Sequence, residues 1–171
     1  MGYETESCIC DSVCLGLETM PSLSDTTKRG NVSPLPKLAT VDDVIQWSEG
    51  NLYYKNVDPW DPAPEVADVI KDGYGDCKML AGVVSVLLDS VGKKNLFIVI
   101  KQGGSWHMFN AYEENGKWYV VNNARLVKSR FANLDGIKHY FKVTRFENTF
   151  ESYQEFRRWF NREIYPTRGR E

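Results

Sequence analysis

An α+β fold is what this 171-residue sequence predicts, with helices first and an antiparallel sheet after them. Two observations carry that expectation. Over residues 77–91, Met79, Leu80, Val83, Val84, Leu87, Leu88 and Val91 recur at helical spacing with almost no polar face, so this helix belongs in a core. Further on, two strand-like runs flank Asn115-Gly116, a strong signal for a tight hairpin turn.

Each element follows from local signals. Thr40, with Asp43 three residues on, caps a helix running through Val44, Ile45 and Trp47 to Gly50. A loop with Pro59, Trp60 and Pro62 leads to a short helix from Pro64 to Lys71, which Asp72-Gly73 stops. The apolar helix follows and ends at Gly92. Strand-like runs then occupy 95–101, 106–113 and 117–123, and a fourth is expected over Tyr140–Phe146. Ser152 and Glu155 form a capping box for a last helix near 153–164, with Phe156, Trp159, Phe160 and Ile164 on its apolar side.

Composition bounds the rest. A hydrophobic content of 42% in 171 residues suffices for one domain with a real core. Residues 1–36 are dense in Ser, Thr and Asp and close on Ser33-Pro34-Leu35-Pro36, so a disordered tail is expected there and a domain over 37–171. No apolar run reaches the roughly 18 residues that span a bilayer. The first residues carry acids where a signal peptide carries bases, so a cytoplasmic protein with no membrane contact is expected.

The net charge of −2 hides a division, because residues 117–171 hold 12 Lys and Arg against 6 Asp and Glu. Arg157, Arg158, Arg162, Arg168 and Arg170, with Trp159 and Phe160 among them, form a basic, aromatic end of the kind that contacts nucleic acid or an acidic partner. The simpler reading is a solvated helix face whose aromatics pack inward.

Of four cysteines, Cys8, Cys10 and Cys14 crowd together and Cys77 stands alone. Three thiols fall one short of a closed zinc site, and the spare histidine, His139, is far away in sequence, so no metal or cofactor is expected. The trio reads as reduced thiols on a tail, and in a reducing compartment Cys77 remains a free thiol.

The chemistry concentrates on three residues. Gly75-Asp76 delivers Cys77 to the first turn of the apolar helix, where amide N–H groups and the helix dipole favour a thiolate. His107 lies on the second strand and Asn122 on the third. If Asn115-Gly116 is a two-residue turn, Phe109 faces Asn122 and His107 faces Ala124. His107 and Asn122 are then diagonal neighbours on one face, about 5–8 Å apart at the backbone. A three-residue turn would select Asn123 instead. Cysteine, histidine and amide in this order are the parts of an acyl-transfer site: nucleophile, proton acceptor and ring-orienting group. Taken singly, each has a plainer reading as a small core residue, a satisfied strand histidine or a turn asparagine. Trp106 and Trp118 are candidates to shield the His–Asn bond from water, although strand tryptophans more often simply pack.

Gly75-Asp76-Cys77, then His107-Met108-Phe109-Asn110, then Gly116-Lys117-Trp118-Tyr119-Val120-Val121-Asn122 resemble the transglutaminase-like domains, including their bacterial cysteine-proteinase branch. Asp58-Pro59-Trp60-Asp61-Pro62 through Tyr74 is similar to that branch as well, so the resemblance spans about 40–126. It implies a papain-like fold with the cysteine-bearing helix packed on the sheet. It also implies acyl transfer at an amide through Cys77, His107 and Asn122, most simply hydrolysis of a peptide or amide bond in a protein or peptide substrate. The alternatives it carries are cross-linking or deamidation of protein glutamines, and a catalytically silent binding module. The family usually places Asp where Asn122 stands, and Lys78-Met79 replaces the polar or acidic pair common after its cysteine.

Overall fold

A capping box starts the first helix of the computed structural model, which describes residues 35–59 and 61–168. The Thr40 hydroxyl accepts the Asp43 N–H at 3.1 Å, and the Asp43 carboxylate accepts the Thr40 N–H at 3.0 Å. That helix, α1 (Val41–Asn51), buries Val44, Ile45 and Ser48. Strand β1 (Tyr53–Tyr54) follows, then α2 (Val66–Asp72). Gly73 ends α2 in the left-handed region (φ 77°), where glycine meets no Cβ penalty, and donates its N–H to the Val69 carbonyl at 2.8 Å. Strand β2 (Tyr74–Gly75) pairs in parallel with β1, a two-residue contact that periodicity is too short to reveal.

Helix α3 (Cys77–Ser90) buries ten of its residues, as its near-continuous apolar sequence requires. The five-stranded antiparallel sheet comprises β3 (Leu96–Gln102), β4 (Ser105–Glu114), β5 (Lys117–Asn122), β6 (Arg125–Leu126) and β7 (Asn148–Phe150), in the order β6-β5-β4-β3-β7. Asn115 and Gly116 both have positive φ (51° and 72°), and Glu114 pairs with Lys117, so the hairpin is the two-residue kind.

Strand alternation divides the core in two. Phe97, Val99, Met108, Tyr112 and Val121 join the cluster that holds Cys77 and the buried face of α3. Ile98, Ile100, Phe109, Ala111 and Val120 belong to a second cluster, closed by Ile137 and Phe141 of helix α4 (Leu134–Phe141).

Helix α4 takes part of the place expected for a fourth strand over Tyr140–Phe146. Leu134, Ile137 and Phe141 fall at helical spacing, Asn133 caps the helix through Gly136 N–H at 3.0 Å, and Lys142 ends it in the left-handed region (φ 57°). The remaining strand is β7, three residues at the edge beside β3. Helix α5 (Tyr153–Trp159) begins at Ser152, whose hydroxyl accepts the Glu155 N–H; the Glu155 carboxylate accepts Glu151 N–H rather than completing the box on Ser152. It passes into a π-helical turn (Phe160–Ile164) and α6 (Tyr165–Arg168). No helix among the described residues is long and apolar enough to cross a membrane. The expected tail, apart from Leu35 and Pro36, lies outside the described residues, as do Cys8, Cys10, Cys14, Trp60 and Arg170.

Candidate active site

Cys77 is placed by the turn that precedes it. Asp76 caps α3 by accepting the Met79 N–H at 3.1 Å, which leaves Cys77 as the first helical residue. A Cβ on Gly75 would sit 2.7 Å from Met79 Cβ, so the close approach of this turn to the helix requires glycine. Cys77 is fully buried, and its Sγ lies 3.8 Å from Met108 Sδ, across from β4.

His107 and Asn122 meet as the hairpin register requires. Asn110 faces Val121, so Phe109 is level with Asn122, and His107 Nε2 lies 2.6 Å from Asn122 Oδ1. With an oxygen as its partner, Nε2 carries the proton, and Nδ1 of the neutral ring becomes the acceptor. Nδ1 is buried and has no hydrogen-bond partner. Burial pushes the imidazole pKa down from 6.5 to about 4, against the opposing effect of the Asn122 hydrogen bond. At neutral pH the ring is therefore uncharged, with Nδ1 as its acceptor nitrogen.

The structure brings His107 and Asn122 together, and His107 Nδ1 makes no hydrogen bond to Cys77. Cys77 touches Met108, the chain neighbour of His107, and the His107 side chain points to the opposite face of β4. Cys77 is also disulfide-bonded, which corrects the expectation of a free thiol. A helix start that favours the thiolate also favours a thiol that exchanges into disulfides.

Three neighbours were missed in the sequence. Phe141 covers the His107 ring, with centroids 6.1 Å apart, and stacks on Phe109 at 4.2 Å. The tryptophans are elsewhere: Trp106 packs on Trp159, and Trp118 on the second core cluster. The spacing of Leu134, Ile137 and Phe141 was the available signal for the first of these. Met108 gave none beyond its place beside His107. Lys78, a lysine inside an apolar helix, is fully buried with its Nζ 2.5 Å from Asp76 Oδ2.

Two arginines of the expected basic end make ion pairs. Arg157 holds Glu65 at 2.6 Å and the Ala63 carbonyl at 3.0 Å, and Arg162 holds Glu163 at 2.8 Å.

No family model matches the chain, and no curated protein matches it. Among solved structures, it is similar to a presumed cysteine protease from Cytophaga hutchinsonii, at 20% identity and a TM-score of 0.41. That likeness covers 56% of this chain and 32% of the other, so this chain spans about a third of that protein. The candidate site rests on its own geometry.

Proposed function

We propose that this is a cysteine-dependent acyl-transfer enzyme of papain-like, transglutaminase-like fold, which in its reduced form hydrolyses a peptide or amide bond in a protein or peptide substrate. The observation that carries the reading is the His107–Asn122 pair. One imidazole nitrogen is fixed by an amide oxygen at 2.6 Å, and the other is a buried acceptor with nothing bonded to it. A histidine that served only to pack would be expected to satisfy both nitrogens.

The steps require Cys77 to be reduced and its sulfur to be brought from Met108 to the imidazole. Nδ1 of His107 takes the thiol proton, and the Cys77 sulfur bonds to the amide carbon. The Cys77 backbone N–H, at the first position of α3, donates to the developing oxyanion. The imidazolium returns its proton to the leaving amine as the C–N bond breaks. Water, deprotonated by the same nitrogen, then releases the acid and restores the thiol. Asn122 holds the ring throughout. Transfer to an amine, or deamidation of glutamine, differs only in which acceptor reaches the acyl-enzyme.

Full burial of Cys77 and its disulfide favour a second reading, a silent binding module built on the same fold. The deciding experiment offers reduced protein glutamine-containing peptides, with and without a primary amine, and follows cleavage, ammonia release and amine incorporation by mass spectrometry. Turnover in the wild type and its loss in Cys77→Ala are expected. Undiminished turnover in Cys77→Ala would sink the site, and none in either protein would favour the binding module.

A further inference from the structure

Among the described residues, Asp76 and Lys78 are the only buried members of the Asp, Glu, Lys and Arg set, and they flank the candidate nucleophile on both sides. Lys78 is 0% exposed and Asp76 is 3% exposed. Asp76 divides its carboxylate: Oδ1 accepts the Met79 N–H at 3.1 Å, and Oδ2 meets Lys78 Nζ at 2.5 Å. The aliphatic stem carries the ammonium to within 5.6 Å of the Phe160 ring, in the π-helical turn packed beyond α5.

A helix cap needs an acceptor oxygen and not a charge, since Asn and Ser cap as well as Asp. A buried ion pair is also a weak source of stability compared with apolar residues of the same volume. The pair must therefore be explained by something other than capping or stability, and its place points to the cysteine between its members. An uncompensated carboxylate beside Cys77 would oppose formation of a thiolate and cancel the favourable field of the α3 N-terminus.

We propose that Lys78 is a positioning residue for the acyl-transfer chemistry: its buried ammonium neutralises Asp76 and pins that carboxylate in the cap, so that the start of α3 presents a net positive field to Cys77. This rests on the reading of Cys77 as nucleophile. Lys78 touches neither substrate nor the reacting bond; it acts through Asp76.

The test uses the full chain with Cys8, Cys10 and Cys14 replaced by Ser, so that ultraviolet thiolate absorbance on titration reports Cys77 alone and does not require a reagent to reach a buried sulfur. Thermal unfolding accompanies each titration, and His107, the neighbouring titratable group, is kept in every variant. Lys78→Met is expected to raise the thiolate midpoint by about one pH unit or more. Asp76→Asn, which keeps the cap, should lower it below the parent. The double variant should return close to the parent, and Lys78→Arg should hold it. A folded Lys78→Met protein with an unmoved midpoint, or a double variant as displaced as Lys78→Met, overturns the proposal. Should Lys78→Met fail to fold, Asp76→Asn decides: no downward movement overturns the proposal. Turnover surviving in Cys77→Ala would remove the acyl-transfer reading while leaving these midpoints as measured, so the two failures are separable.

Discussion

Lowering the pH should unfold this protein through His107, and the size of the effect follows from where the ring sits. His107 is 2% exposed, opposite Ile100 on β3 and under Phe141, and its folded pKa is pushed from 6.5 to about 4, chiefly by burial. The unfolded chain binds a proton near 6.5, and the folded chain resists one until about 4. The stabilisation is therefore complete above pH 6.5 and is lost progressively as the pH falls toward 4. At 1.36 kcal/mol per pKa unit, the whole effect is about 3 kcal/mol, of which about 2–3 kcal/mol is lost between about pH 7.5 and 4.5. Urea unfolding across that range would measure it, in the wild type and in His107→Gln. Glutamine can still offer an N–H to Asn122 but does not titrate. Carboxylates contribute equally to both proteins. Asp43, for example, is held below the usual range by the Thr40 hydroxyl first and by backbone N–H groups next, and it loses its contribution only at lower pH. The wild type should lose its advantage over His107→Gln as the pH falls. A difference between the two that stays flat with pH would refute the burial argument.

Other perturbations test separate parts of the structure. Replacing Gly82 with Ala puts a Cβ 2.6 Å from Tyr153 Cε2, against a ring buried in the core whose hydroxyl donates to the Pro64 carbonyl. A loss of about 1–3 kcal/mol in thermal unfolding is expected, and no loss would contradict the packing of α3 on α5. Asn133→Ala removes the α4 cap and should cost about 1 kcal/mol, read as a lower unfolding midpoint in urea. Asn122→Asp should raise the His107 pKa above its value of about 4, because a carboxylate stabilises the imidazolium, and the imidazole signals in NMR titrations would show it. A pKa that does not rise would mean that the two side chains are not in contact.

The parts of the fold legible in the sequence are those whose signals are local or strictly periodic. The Thr40–Asp43 box, the Gly73 stop and the Asn115-Gly116 turn each depend on a few adjacent residues, and all three appear in the structure. Helix α3 was readable because being apolar nearly all round leaves it only one environment. What stayed hidden depends on tertiary partners. Tyr140–Phe146 has aromatic, strand-forming composition, but Phe141 is anchored by Phe109 and the second core, and the chain turns at Lys142 before reaching the sheet edge at Asn148. The pairing of β1 with β2 joins segments twenty residues apart, two residues each, and no period exists to announce it.

The candidate site divides along the same line. His107 and Asn122 sit on adjacent strands of one hairpin, so counting residues from the turn fixed which asparagine could reach the ring, and the 2.6 Å contact follows from that parity. Cys77 arrives from a helix, and its relation to His107 is set by how α3 lies across β4, which no count of residues supplies. The packing puts the sulfur against Met108, one residue from the imidazole and on the other side of the strand. That separation gives the acyl-transfer reading a specific physical requirement. The thiol, once reduced, must be carried to Nδ1 by a shift of the helix start against β4, past a methionine whose flexible thioether is well suited to yield. Replacing Met108 with β-branched Ile, of similar volume but stiff at χ1, should therefore slow any Cys77-dependent turnover in the reduced protein by more than it lowers the unfolding midpoint. Turnover that follows stability alone would mean that the path from sulfur to imidazole does not pass Met108.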